Sequence, residues 1–229
     1  MRIVALIPAR GGSKGIPKKN LQVVSGKTLV ALRIEQAKKS RCSEVYVSTD
    51  DAEIANEARK FGALIIDRPT ILAQDESSTD AVLKHAIEFL NLGSNDIVVL
   101  LQPTSPFISY RKINECLNLL MSNLEVNSVI TLKMGHEFIW RDFSSFLEPV
   151  NHERLSRKRR QDLHMDGSET GGCYAIKVSG FFLSQVRFPA PTLAIPVNIV
   201  QALDIDSLVD LRIARELTEF KNVEDYDLT

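Results

Sequence analysis

The stretch DIVVLLQ, Asp96–Gln102, decides the fold. Its apolar residues run without a break, whereas a strand with one wet face would alternate. A short continuous run of this kind suits a strand covered on both sides, as in a parallel sheet with helices above and below. The segments around it agree. Just upstream, Asp80–Leu90 sets Val82, Ala86 and Phe89 on one helical face, with Leu83, Ile87 and Leu90 beside them. Further back, EVYVST (Glu44–Thr49) and ALII (Ala63–Ile66) read as strands. Between them DDAEIANEARKFG (Asp50–Gly62) opens on acids, as a helix N-terminus prefers, and closes on glycine. At the start, RIVALI (Arg2–Ile7) is a short strand ended by Pro8, and TLVALRIEQAKK (Thr28–Lys39) has helical spacing. Downstream, Arg111–Ser122 reads as helix and NSVITLK (Asn127–Lys133) as strand. Strand and helix in alternation predict an α/β, Rossmann-like fold: a mostly parallel sheet with helices on both faces.

The rhythm breaks at Met134. Met134–Thr170 is polar, lacks a clear period, and holds Trp140 and the run RKRR (Arg157–Arg160). It reads as an insertion, a lid or a contact arm. Order is expected again at CYAIKV (Cys173–Val178) and at NIVQALDID (Asn198–Asp206), then in a last helix, Leu208–Phe220, before a frayed tail, Asn222–Thr229. The 229 residues therefore read as one domain, 1–229, with an irregular insertion at 134–170.

Lys and Arg number 28 and Asp and Glu 29, so the chain is close to neutral, unlike a protein that grips a long polyanion. No nucleic-acid partner is expected. No segment is long and apolar enough for a membrane span. Three scattered cysteines (Cys42, Cys116, Cys173) form neither a disulfide framework nor a zinc pattern, which points to a reducing, cytoplasmic setting. His85, His136, His152 and His164 have no metal spacing, and no Ser-His-Asp or Cys-His set is readable. Cys173 reads as a buried strand residue.

In parallel sheets ligands sit beyond the carboxyl ends of the strands. Three segments leave such ends: STDD, LQPTSP and IPARGGSKGIPKKNL (Ile7–Leu21). The last carries Arg10, Lys14, Lys18 and Lys19 with three glycines and no acid. Glycines let backbone N–H groups turn toward an anion, and cations on a neutral protein favour a small anion such as a triphosphate. The pattern is neither a Walker loop nor Gly-x-Gly-x-x-Gly, and a solvated surface loop is the plain alternative. LDID (Leu203–Asp206) would, if extended, turn the carboxylates of Asp204 and Asp206 the same way, as two hard ligands for Mg2+ on a phosphate. The alternative is that Asp206 or Ser207 caps the final helix, where Ser207 and Asp210 form a capping-box pattern. LQPTSP (Leu101–Pro106) offers amide and hydroxyl groups for a polyhydroxylated substrate, or is only a proline-punctuated turn. RKRR followed by Gln-Asp is a solvated run or a grip for a carboxylate.

Taken in order, these segments resemble a family. IPARGGSKGIPKKNL, DRPTILAQDESSTDAVLKHA, LLQPTSPF, RRQD…ETGGCY and LDIDSLVDL are similar to the motifs of the CMP-sialic acid synthetases (acylneuraminate cytidylyltransferases), from Met1 to about Phe220. The resemblance implies a GT-A-like nucleotidyltransferase fold. It implies transfer of CMP from CTP to the anomeric hydroxyl of a nine-carbon 2-keto sugar acid, with pyrophosphate released and Mg2+ as cofactor. Under it, Arg10 and Lys19 hold the triphosphate, with Gly11, Ser13, Lys14 and Asn20 completing the loop. Arg68 reads the cytosine, with hydroxyls of Ser78 and Thr79 nearby. Gln102, Thr104 and Ser105 bind the sugar, Arg160 lies near its carboxylate, and Asp204 and Asp206 ligate the metal. It also implies a homodimer joined through the 134–170 arm. Two departures stand out: Thr170 precedes Gly171 where the family often has asparagine, and an arginine that some members carry near Ser168 is missing. A changed polar contact in the sugar pocket is expected, with legionaminic or pseudaminic acid as acceptors beside N-acetylneuraminic acid. The alternatives are a CMP-Kdo synthetase or other sugar nucleotidyltransferase, and a non-catalytic nucleotide-binding module.

Overall fold

The computed structural model describes residues 1–156, 158–162 and 165–218, with Arg160 described by its backbone alone. Arg157, His164, the end of the expected last helix at Phe220 and the tail Asn222–Thr229 lie outside the described residues, as does the Arg160 side chain.

In chain order the strands and helices are β1 (Ile3–Pro8), β2 (Val23–Val24), β3 (Lys27–Thr28), α1 (Leu29–Lys39), β4 (Glu44–Thr49), α2 (Ala52–Lys60), β5 (Leu64–Asp67), α3 (Thr79–Phe89), β6 (Ile97–Leu100), α4 (Tyr110–Ser122), β7 (Ser128–Gly135), β8 (Trp140–Asp142), β9 (Leu147–Pro149), β10 (Asp166–Lys177), α5 (Val178–Ser184), β11 (Thr192–Val197) and α6 (Leu208–Leu217). Seven strands form the main sheet in the order β11-β7-β10-β6-β1-β4-β5. Pairs β6/β1, β1/β4, β4/β5 and β11/β7 are parallel, and only β10 runs against its neighbours β6 and β7. The mostly parallel sheet expected from the sequence is therefore present.

Residues of β1 and β6 divide by parity between two apolar layers. Ile3, Ala5, Ile7, Ile97 and Val99 meet α1, α2 and α4 through Val30, Ile34, Ile54, Ala58, Ile113 and Leu117. Val4, Leu6, Val98 and Leu100 meet α3 and α5 through Leu83, Ile87 and Phe181. The unbroken apolar run of β6 is explained: both of its faces are dry. Caps set the helix starts. Thr28, Asp51, Ser78, Ser109 and Ser207 each accept a hydrogen bond from a backbone N–H of the first turn of α1, α2, α3, α4 and α6.

Two expectations need correction. Regular structure near the C-terminus sits at β11, Thr192–Val197, and not in Asn198–Asp206, where Val200–Leu203 turn and Leu203–Asp206 lack regular structure. The β11 stretch contains Pro196, which an edge strand tolerates because one side needs no partner. The insertion at 134–170 is less irregular than its composition suggests. It contains the antiparallel β8/β9 ribbon, a 3-10 turn at Arg160–Asp162, and the first residues of β10.

A third apolar cluster positions the site. It joins Ile16 of the basic loop, Leu29 and Leu32 of α1, Phe107 after β6, Ile205 of the acidic segment, and Leu211 and Ala214 of α6. Segments far apart in sequence are thus pinned together by their own buried side chains.

Candidate active site

A cleft of about 520 Å3 opens where β1 and β6 diverge into their loops. That is the switch point of the sheet, since the chain passes from β1 to β4 on one side and later to β6 on the other. Arg10, Ser13, Lys14, Gly15, Lys19, Asn20, Arg68, Thr79, Gln102, Thr104, Asp204 and Asp206 all line it. The sequence had singled out all of these but Gly15 as site residues. Pro8, Leu72, Gln74, Asp75, Ser77, Val82 and Pro103 complete the walls.

The basic loop is held rigidly at its base. The Asn20 amide donates to the Arg10 carbonyl at 2.9 Å, and Ile16 is fully buried. Gly15 has to be glycine: a Cβ there would stand 2.7 Å from the Asp206 carbonyl oxygen. The loop and the acidic segment therefore touch backbone to backbone. Its cations are paired within the protein. Asp75 takes Arg10 on one carboxylate oxygen and Lys14 on the other, each at 2.8 Å, and these two pairs hold its carboxyl below the usual range. Lys19 Nζ donates to Asp206 Oδ1 at 2.9 Å and to the Ile205 carbonyl at 3.0 Å.

Asp204 and Asp206 both reach the cleft, while Ile205 between them is fully buried. The capping alternative falls to Ser207, whose hydroxyl accepts from Asp210 N while the Asp210 carboxylate accepts from Ser207 N at 2.8 Å. The Asp206 carboxylate is thereby left to the cleft. Burial raises the Asp204 carboxyl, and the negative charge of Asp206 pushes the same way, against hydrogen bonds from Thr104 and Ser105 and the charge of Lys19. A desolvated carboxylate with a like charge beside it suits a cation. Among the described residues no group of three or more His, Cys, Asp or Glu side chains gathers, so a metal here would have two protein carboxylates and take its other oxygens from phosphate and water. That donor set fits Mg2+.

Arg68 is almost wholly buried. Its Nε donates to Ser48 Oγ at 3.1 Å and an NH2 to the Ser48 carbonyl at 2.6 Å, so β4 fixes the guanidinium at the cleft wall. Burial pushes it down to about 10, against the pull of Asp50.

Three expected residues stand elsewhere. Gly11 donates its N–H to Asp50 Oδ1 at 3.0 Å, and a Cβ on it would meet Asp51 at 2.7 Å, so it serves the turn against α2 and does not line the cleft. The Ser78 hydroxyl caps α3, and Ser77 stands in the wall instead. Ser105 is buried. Its single hydroxyl proton serves the Thr170 carbonyl at 2.9 Å, which leaves the 3.5 Å approach to Asp204 Oδ1 secondary. Thr170 does not line the cleft either. Its hydroxyl lies 2.8 Å from that of Thr131 inside the sheet and donates to the Thr131 carbonyl at 3.0 Å. Of the basic run, Arg159 pairs with Asp162 at 2.7 Å within its own turn. His85, His136 and His152 do not line the cleft, and Cys173 is buried in β10.

Asp75 and Gln74 were not singled out from the sequence, although both lie in the quoted motif DRPTILAQDESST. An acid in a motif read beside the cationic loop was the available signal, since Asp75 pairs with Arg10 and Lys14.

A cytidylyltransferase family profile matches residues 4–171. Among curated proteins, the N-acylneuraminate cytidylyltransferase A of Danio rerio is 34% identical over 76% of this chain and 41% of its own length. The N-acylneuraminate cytidylyltransferase of Escherichia coli O18:K1:H7 is 30% identical over 99% of this chain and 54% of its own. The chain thus spans about half the length of these relatives. The CMP-N,N'-diacetyllegionaminic acid synthase of Legionella pneumophila is 31% identical over 96% of this chain and 97% of its own. Among solved structures, a CMP:2-keto-3-deoxy-manno-octonic acid synthetase complexed with CTP shares the fold at TM-score 0.69 and 20% identity, covering 95% of this chain and 98% of the other. The switch-point cleft, the glycine-rich cationic loop and the profile over residues 4–171 agree: this chain belongs to the cytidylyltransferase family.

Proposed function

We propose that the protein transfers CMP from CTP to the anomeric hydroxyl of a nine-carbon 2-keto sugar acid and releases pyrophosphate. One observation carries this reading: the basic loop, the Gln102–Thr104 turn and the Asp204–Asp206 segment converge on one cleft at the switch point. The names of relatives that act on N-acylneuraminate, N,N'-diacetyllegionaminic acid and pseudaminic acid support the acceptor class.

In the reaction the acceptor oxygen attacks the α-phosphorus, the bond to the bridging oxygen of the β-phosphate breaks, and the hydroxyl proton leaves. Catalysis of this kind is mostly positioning and charge stabilisation. Arg10, Lys14 and Lys19 take the triphosphate in place of Asp75 and Asp206. Charge accumulating on the departing pyrophosphate is met by Arg10 and Lys19. Arg68 and Thr79 take the base, and Gln102 and Thr104 orient the sugar hydroxyls. Asp204 and Asp206 would hold Mg2+, which would offset phosphate charge and make the attacking hydroxyl more acidic. No side chain is required as a general base, and the proton leaves through water.

The arm supports a homodimer. Ile139, Trp140, Phe143, Phe146 and Leu147 are all well exposed on and around the β8/β9 ribbon, an apolar patch suited to a second copy. Light scattering of F146D should show a lower mass than the parent protein, and equal masses would remove this part of the reading. Among the described residues no helix is long and apolar enough to cross a membrane. Together with three free cysteines, this supports a cytoplasmic site of action.

The test is pyrophosphate release from CTP and Mg2+ with N-acetylneuraminic, legionaminic, pseudaminic and Kdo acids. Release with one nine-carbon acid establishes the reaction and names the acceptor. Release with Kdo alone keeps the chemistry and overturns the acceptor class. Silence with CTP still bound overturns the transferase reading.

A further inference from the structure

Helix α1 is buried on nearly all sides, and Arg33 sits at its centre with no exposed surface. Among the described residues no carboxylate pairs with it. A buried cation without a counter-ion is costly, and leucine or methionine would extend the apolar layer on either side of it without that cost. Burial pushes the guanidinium down to about 10, which still leaves it charged at neutral pH. Nε is buried and, among the described residues, has no hydrogen-bond partner, so the polar contacts of Arg33 fall on NH1 and NH2.

An apolar side chain could not grip carbonyls. NH1 donates to the Ile108 carbonyl at 2.7 Å and the Ser105 carbonyl at 3.3 Å, and NH2 to the Gly172 carbonyl at 3.3 Å. The first two belong to the turn that follows β6, and the third to β10 where its register shifts between Glu169 and Tyr174. Arg33 therefore ties the cleft's turn to the reversed strand beside it. Ser105 adds a second tie, from its hydroxyl to the Thr170 carbonyl. On its other side the turn holds the acidic segment, because Ile205 N donates to the Thr104 carbonyl at 2.8 Å. A line of contacts thus runs from Arg33 through the turn to Asp204 and Asp206.

We propose that Arg33 is the positioning residue for the acceptor end of the cleft: its three carbonyl contacts set the Gln102–Thr104 turn and, through Thr104, the Asp204–Asp206 segment against the basic loop. The kinetic part rests on the transferase reading above, and the structural part does not. Lysine at this position keeps the charge but puts its three donors on one nitrogen, which does not reproduce the separate reach of NH1 to the turn and NH2 to β10.

Two readouts on R33K test it. Hydrogen exchange should quicken in peptides covering 102–108 and 203–207 and stay unchanged in 10–20. With the acid that gives the fastest pyrophosphate release, the acceptor KM should rise by about tenfold or more while the Kd for CTP in EDTA stays within about twofold. Exchange that quickens everywhere, or nowhere, would overturn the proposal. So would a CTP Kd that rises in step with the acceptor KM. If the parent protein releases no pyrophosphate with any acid, the transferase reading fails and the exchange pattern alone decides Arg33. If R33K does not fold, R33Q keeps a planar NH2 donor without charge and is subject to the same readouts.

Discussion

The two ends of the same sheet handle charge in opposite ways. At the amino ends of β1, β4 and β6, Arg2 places Nε and NH2 on the two oxygens of Glu44 at 2.8 and 2.9 Å and NH1 on the Leu90 carbonyl at 3.0 Å. Asp96 there accepts from Arg2 N at 2.7 Å and from Gly93 N at 2.9 Å. Each group has partners fixed by the fold, and together they lock three strands. At the carboxyl ends, Arg10 and Lys14 share the single Asp75, and Lys19 takes Asp206, whose side chain is 75% exposed. These pairs face a cleft. Ion pairs of similar length thus stand in different settings: at one end they tie strands together, and at the other they line a cleft where, under the proposed function, a phosphate would compete for the cations.

The largest expected effect breaks the cleft end. Asp206→Ala should lower kcat by about 100-fold or more, because under the proposed function it removes one of the two carboxylates that would hold Mg2+. Its melting temperature should hardly move, since Ser207 caps α6. A drop in stability of about 1 kcal/mol with activity retained would instead make Asp206 part of the cap. Asp75→Asn should act in the opposite direction. It removes the anion that competes for Arg10 and Lys14, so the KM for CTP should fall by up to about fivefold, the range available to an exposed ion pair. An increased KM would mean that Asp75 orders the loop and does not stand in for phosphate.

The smallest effect concerns the amino end. Glu44→Gln should cost about 1 kcal/mol in urea unfolding at pH 7 and leave the KM for CTP unchanged. Its pH dependence has a definite sign. The carboxyl of Glu44 is lowered by its hydrogen bond from Arg2, and that of Asp96 by the backbone N–H groups of Arg2 and Gly93. Their contribution is complete above the ordinary values of 4.5 and 3.8 and is lost as pH falls through the lowered folded values. The parent protein and the variant should therefore converge in stability as pH falls below the lowered value of the Glu44 carboxyl. A difference that persists there would place the contribution of Glu44 in packing and not in charge.

Much of the cleft was legible because its signals are local. A glycine-rich cationic loop after a strand, a proline-bounded polar turn after another, and two aspartates flanking an isoleucine each stand within a few residues. Gly11, Ser78 and Ser105 were read toward the cleft from the same motifs and stand elsewhere. Which side of a turn a residue faces depends on neighbours far away in sequence: Asp50 and Asp51 for Gly11, and Thr170 for Ser105. Arg33 was hidden for a related reason. In sequence it is one cation on a helix that carries others, and only packing shows that no water reaches it.

The sequence by itself determined the layers. Unbroken apolar strands alternating with amphipathic helices have few ways to bury their surface other than a helix-covered parallel sheet, because the hydrophobic term depends on area and periodicity that each segment carries within itself. Tertiary structure alone decided the reversal of β10, the place of β11 at the edge, and the meeting of Ile16, Phe107 and Ile205 that gathers three loops into one cleft. Strand pairing and the choice of partner for a buried carbonyl or cation are satisfied between segments, so no single segment encodes them.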